Sequence, residues 1–114
     1  MTATLRRDVS IAANANVDDQ LVVDGHRDAA RTASNNGWVK MYATASATGL
    51  RLGLFASTRT LGTNLEPFIS STGPLLDGQH FVDAFKVFAG EVIAMSVFNT
   101  TAGALTLRYH VAVP

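Results

Sequence analysis

Apolar and polar residues alternate along much of this chain, and no window sustains a helical period over three turns. The clearest stretch closes the sequence. Leu105, Leu107, Tyr109, Val111 and Val113 fall on one side and Thr106, Arg108 and His110 on the other, as a strand with one buried face requires. Leu50, Leu52, Leu54 and Ala56 repeat the pattern against Arg51, Gly53 and Ser57, and Val39, Met41, Ala43 and Ala45 against Trp38, Lys40, Tyr42 and Thr44. Turn-forming groups separate the runs: Asn36-Gly37, Ala47-Thr48-Gly49, Thr72-Gly73-Pro74, Asp77-Gly78, Ala89-Gly90-Glu91 and Asn99-Thr100-Thr101-Ala102-Gly103. Together they predict strands at roughly 4–12, 19–24, 37–46, 49–58, 64–70, 79–89, 91–99 and 103–113. Such a series predicts an all-β protein, an antiparallel β-sandwich in the form of an eight-stranded jelly roll.

Two regions fall outside the alternation. Residues 24–37 lack apolar periodicity and read as a long loop, with room for one helical turn between Asp28 and Ala33. Residues 1–17 offer only Leu5, Val9 and Ile11 to a core, so they are expected to supply the first strand and an N-terminal arm that orders against a neighbour. A length of 114 residues suits a single domain spanning 1–114.

Two strands are apolar on both faces. In 91–99, Ile93, Met95 and Val97 oppose Val92, Ala94 and Phe98; in 79–89, Phe81, Phe85 and Val87 oppose Val82, Ala84 and Phe88. A two-layer sandwich buries one face of each sheet, so the second apolar face calls for a loop, the arm, another subunit or a ligand. Covering one such Phe or Val is worth roughly 1.5–3 kcal/mol.

Composition narrows the partner. Apolar residues make up 47% and charged residues 16%, enough for a core and less charge than an ordinary surface carries, which again points to covered surface. Nine Lys and Arg balance nine Asp and Glu without a basic segment, so nucleic acid is not an expected ligand. The absence of cysteine removes disulfides, thiolate metal sites and thiol catalysis. Apolar runs such as Val92-Ile93-Ala94-Met95 are too short to cross a bilayer, and Arg6-Arg7 has no apolar stretch behind it, so neither a membrane span nor a signal peptide is expected.

Candidate chemistry is sparse. His26, His80 and His110 lack the spacing of metal ligands, and Asp18, Asp19, Asp24 and Asp28 lack the spacing of an EF-hand loop. There is no Gly-x-Ser-x-Gly and no phosphate-cradling glycine loop, and Glu66 and Glu91 sit beside the turn residues Pro67 and Gly90 without a partner carboxylate. The reading is a non-enzyme with no catalytic residue, no metal and no cofactor. Asn99-Thr100-Thr101 matches a glycosylation acceptor but serves better as a turn. Trp38 and Tyr42 would project from the polar side of their strand with Lys40 between them, as anchors of a protein interface or a platform for a sugar; with the strand reversed they would be core.

The succession of strand, Ala89-Gly90-Glu91, strand, Asn99 to Ala104, strand, ending Val111-Ala112-Val113-Pro114, together with Met41 to Leu50, resembles the small jelly-roll decoration or cement proteins of tailed bacteriophage capsids. The resemblance spans residues 37–114 and rests on turns and strand starts. It implies a structural virion protein on the capsid surface, commonly a homotrimer, that binds the major capsid protein and stabilises the shell. Leu5, Arg6, Arg7, Trp38, Tyr42, Phe81, Phe85, Phe88 and Phe98 are the expected subunit or capsid contacts. The alternative reading is a carbohydrate- or receptor-binding β-sandwich module.

Overall fold

Alternation at residues 105–113 becomes a strand whose inward residues Leu107, Tyr109, Val111 and Val113 are buried. The computed structural model describes residues 3–70, 75 and 78–114. Along the chain these form β1 (Ala3–Ile11), β2 (Asn16–Val17), α1 (Gln20–Val23), α2 (Asp28–Arg31), β3 (Gly37–Ala45), β4 (Leu50–Ala56), β5 (Arg59–Leu65), β6 (Phe68–Ile69), β7 (Phe81–Val87), β8 (Ile93–Asn99) and β9 (Leu105–Val113). Strand pairing is nested: β1 with β9, β2 with β8, β3 with β7 and β4 with β5, all antiparallel. Further pairing of β9 with β3 and of β8 with β4 joins these into two sheets, β1-β9-β3-β7 and β2-β8-β4-β5. That is the strand order of a jelly roll. The short β6 adds a parallel pairing to the far end of β3.

The core lies between the sheets. Val39, Met41, Ala43, Ala45, Leu107, Tyr109, Val111 and Val113 face Leu50, Leu52, Leu54, Ile93, Met95 and Val97, all essentially buried. Along one edge Phe85 of β7 closes the gap by lying against Gly62 of β5, where a Cβ would come within 2.7 Å of the Phe85 ring. Along the other, the β2–β3 crossover carrying α1 and α2 packs on β8 and β1.

Several expectations need correction. Residues 19–24 are not a strand: Asp19 accepts a hydrogen bond from the Leu21 amide and starts α1. Only Gln20 and Leu21 of that helix are buried, and the β-branched Val22 and Val23 that suggested a strand are exposed. The long loop does contain its helical turn, α2. The expected strand at 64–70 is the end of β5 followed by β6. Residues 3–11 are no free arm; they pair with β9 from Ala3 to Ile11, and Leu5 is buried in the core. The turns expected at Thr72-Gly73-Pro74 and at Asp77 lie outside the described residues.

Acidic residues of the crossover act as fasteners. The Arg31 guanidinium, 9% exposed, pairs with Asp19 at 3.2 Å and with Asp28, and donates to the Ile93 carbonyl at 3.3 Å. Asn99 performs the equivalent task at the end of β8. Its Nδ2 donates to the carbonyls of Ile11, Ala12 and Gly103 at 2.9–3.1 Å, and its Oδ1 accepts from the Thr101 amide and hydroxyl at 2.9 and 2.7 Å. Being fully buried and committed to these bonds, this amide has a structural use in place of the glycosylation its motif suggested.

Replacing Asn99 with Ala removes a donor shared by three carbonyls and the acceptor of the Thr101 amide, and should cost about 3 kcal/mol. Thermal unfolding followed by circular dichroism should show a midpoint lower by roughly 10 °C or more; an unchanged midpoint would contradict this role.

Candidate functional site

The outer face of the β1-β9-β3-β7 sheet gathers aromatic and cationic side chains. Strand register arranges them in rows: Arg6, His110, Tyr42 and Phe81 form one, and Asp8, Arg108, Thr44 and Phe68 the next. On the other side of the first row come Lys40 and then Trp38, which stands opposite Lys86. Tyr42 meets Phe81 edge-on at 5.5 Å between ring centroids and His110 at 5.2 Å, while Phe68 lies 5.9 Å from His80. Trp38 is 56% exposed and Phe81 43%, so large apolar surface faces solvent beside the exposed cations Arg6, Lys40 and Lys86. Arg108 is tied to Asp8 at 3.5 Å.

The sequence-based contact residues therefore separate. Arg6, Trp38, Tyr42 and Phe81 share this face. Leu5 is core, and Arg7 stands opposite the inward-facing Tyr109. Phe85 turns inward onto Gly62. Phe81 and Phe85 were expected on one side, but the register slips between Met41 and Tyr42, and this bulge sends Phe81 outward. Phe88 follows β7, with the Arg59 guanidinium 5.3 Å above its ring. Phe98 projects from the other sheet. Phe68, His80, His110 and Lys86 join the face only through strand pairing, so the one signal that marks them is a cross-strand register that alternation along a single strand does not contain.

Several titratable groups away from this face tie elements of the fold together. Glu91 grips Arg59 through both oxygens at 2.7 and 2.8 Å and accepts from the Phe88 amide, and the hydrogen bond from Arg59 holds its carboxyl below the usual range. Glu66 pairs with Arg51 at 3.0 Å. Under the crossover, the buried Tyr109 hydroxyl donates to Asp24 Oδ2 at 2.5 Å and lies 2.9 Å from His26 Nε2. Because its one proton goes to Asp24, it accepts from His26, which fixes the neutral tautomer with hydrogen on Nε2. Gln20 donates to the other Asp24 oxygen at 2.9 Å. Burial, then the Asp24 carboxylate, raises the Tyr109 pKa beyond its ordinary value. Burial also lowers that of His26, assisted by Arg7 and Arg31 and opposed by Asp24. Among the described residues no three His, Asp or Glu side chains converge to hold a metal.

No protein-family model and no curated protein matches the sequence. Among solved structures the chain is similar to the mitogen of Yersinia pseudotuberculosis, at 12% identity and a TM-score of 0.55 over 100% of this chain and 86% of that one. It is also similar to the C-terminal CBM6 of LamC from Zobellia galactanivorans, at 12% identity and a TM-score of 0.46, over 97% and 90% of the two chains. The likeness to the mitogen is one of fold.

Tyr109→Phe removes the donor that satisfies Asp24 and should cost about 2 kcal/mol in a denaturant titration; a neutral result would mean that water replaces the hydroxyl. A second expectation concerns acid. With the folded pKa of His26 below its ordinary 6.5, the unfolded chain takes up the proton first, so stability falls as pH drops through that value and levels off once the folded imidazole titrates. Between neutral pH and about pH 5 the wild-type melting temperature should fall further than that of His26→Gln, which retains a neutral donor; parallel curves would refute the assignment.

Proposed function

We propose that this jelly roll is a non-catalytic assembly module that seats the outer face of its β1-β9-β3-β7 sheet on an acidic protein surface. The observation that carries the reading is the exposed Trp38 and Phe81 set among Arg6, Lys40 and Lys86. Buried aromatic anchors within a charged rim are where protein interfaces concentrate their affinity, and cations around them steer an acidic partner into place. The resemblance to phage decoration proteins makes the major capsid protein the first partner to test, with the virion surface as the location and a homotrimer as the assembled form. A non-enzymatic role is supported by the use of Asp24, His26 and Tyr109 as one another's partners beneath the crossover.

Light scattering after size exclusion at micromolar concentration should return a trimer, and the protein should cosediment with shells assembled from the cognate capsid protein. Trp38→Ala/Phe81→Ala should weaken cosedimentation at least roughly thirtyfold while lowering the melting temperature by only about a few degrees, since Trp38 is more than half exposed and Phe81 gives up its edge-on contact with Tyr42. Unaltered cosedimentation by the variant would overturn the choice of face. A monomer that ignores capsid shells and binds a glycan array through Trp38 and Tyr42 would replace the reading by a carbohydrate-binding one.

A further inference from the structure

The second sheet carries a groove on its own outer face, far in character from the cationic aromatic one. At its floor is Gly53, in the middle of β4, with Ser96 of β8 directly opposite. On the β5 side the register gains a residue: Leu52 pairs with Leu65 and Leu54 with Gly62, so Thr63 and Asn64 together oppose Gly53. Asn64 holds the left-handed conformation at φ 54°, as bulges often require. Gly53 itself needs no special φ, yet a Cβ there would come within 2.4 Å of Ser96 Oγ and 3.1 Å of the Phe55 ring. A glycine inside a strand sacrifices strand stability, and one kept for space marks a place where something approaches the backbone closely.

The resulting hollow measures about 130 Å³ and is lined by Arg51, Gly53, Thr63, Asn64, Ser96 and Phe98, with Leu52 beneath. Phe98, 43% exposed, pairs across from Arg51 at one end, and Phe55 lies at the other. An aromatic ring beside two hydroxyls, a carboxamide and a guanidinium suits a ligand that has one C–H face and a rim of hydroxyl groups. Arg51 is already matched by Glu66 at 3.0 Å, so the groove has no unmet charge for an anion. From these features we infer that the groove binds a neutral pyranose, a single sugar ring stacked on Phe98 with its hydroxyls bonded to Ser96, Thr63, Asn64 and Arg51. The volume admits one ring and little more, so affinity for an isolated sugar lies in the millimolar range, and useful binding comes from several copies acting together.

The test is a titration of amide and side-chain resonances with a panel of neutral methyl hexopyranosides, taken to tens-of-millimolar concentration. One member of the panel should shift Gly53, Thr63, Asn64, Ser96 and Phe98. Phe98→Ala should weaken that binding roughly tenfold, because the ring supplies the stacking surface. Gly53→Ala/Ser96→Ala fills the floor while relieving the clash a lone Ala at 53 would create, and should abolish binding with the fold intact. Trp38→Ala should leave it untouched, which separates this site from the assembly face. Absence of shifts at Gly53 with every sugar, shifts confined to Trp38 and Tyr42, or full binding by Phe98→Ala would each overturn the inference.

Discussion

A β-sandwich covers its apolar residues on the two inner faces but leaves them open along the edges where the sheets do not meet. Closing those edges is the constraint on which the rest of this structure depends. On one side the solution is apolar and costs one side chain: Gly62 gives up its Cβ so that the Phe85 ring can bridge the gap. On the other the chain spends the whole β2–β3 crossover. Leu21 supplies its apolar plug, and Arg31, held by Asp19 and Asp28, ties it to the backbone of β8.

A polar crossover laid over an apolar core gains stability by pairing its groups internally, because each unpaired one costs about 1–3 kcal/mol. This explains why the only buried tyrosine sits where it does among the described residues. The Tyr109 ring belongs to the core of β9, while its hydroxyl meets Asp24 and His26 from the crossover. An arrangement that resembles an acid–base triad is therefore the seam between two layers. At the end of the sandwich, Asn99 joins the β1–β2 and β8–β9 turns in the same way.

The parts legible in the sequence are those governed by a period of two. β3, β4 and β9 are central strands with one buried face, and their alternation marks the elements and which residues share a face, while burial settles that Trp38 stands outward. What alternation missed depends on events between strands. Val22 and Val23 suit a strand by shape, but the Asp19 cap bends the backbone into α1. The bulge in β7 reverses Phe81 relative to Phe85, and a slip of one residue leaves no trace in composition. The start of β5, Arg59-Thr60-Leu61-Gly62-Thr63, was too polar to read as a strand because an edge strand shows much of its surface to water. Gly53 looked like an ordinary polar-side residue of an alternating run, and its significance appears only when Ser96 and the Thr63–Asn64 bulge flank it.

Edges are poor places for recognition in this molecule. β1, the longest edge strand, carries Arg6, Arg7 and Asp8 in succession, a charge pattern that discourages another chain from adding to the sheet. The crossover and Phe85 occupy the lateral gaps. What remains are the two outer faces, and each breaks the local rules of a solvated sheet once and in an opposite sense. One presents a tryptophan where a polar residue would serve solubility; the other omits a side chain where a β-branched one would strengthen the strand. Departures of this kind persist where a sequence answers to something besides its own stability. A protruding ring suits a broad partner that closes over it, and a missing side chain suits a small one that enters. The jelly roll sets these two features on different sheets, on opposite sides of one core.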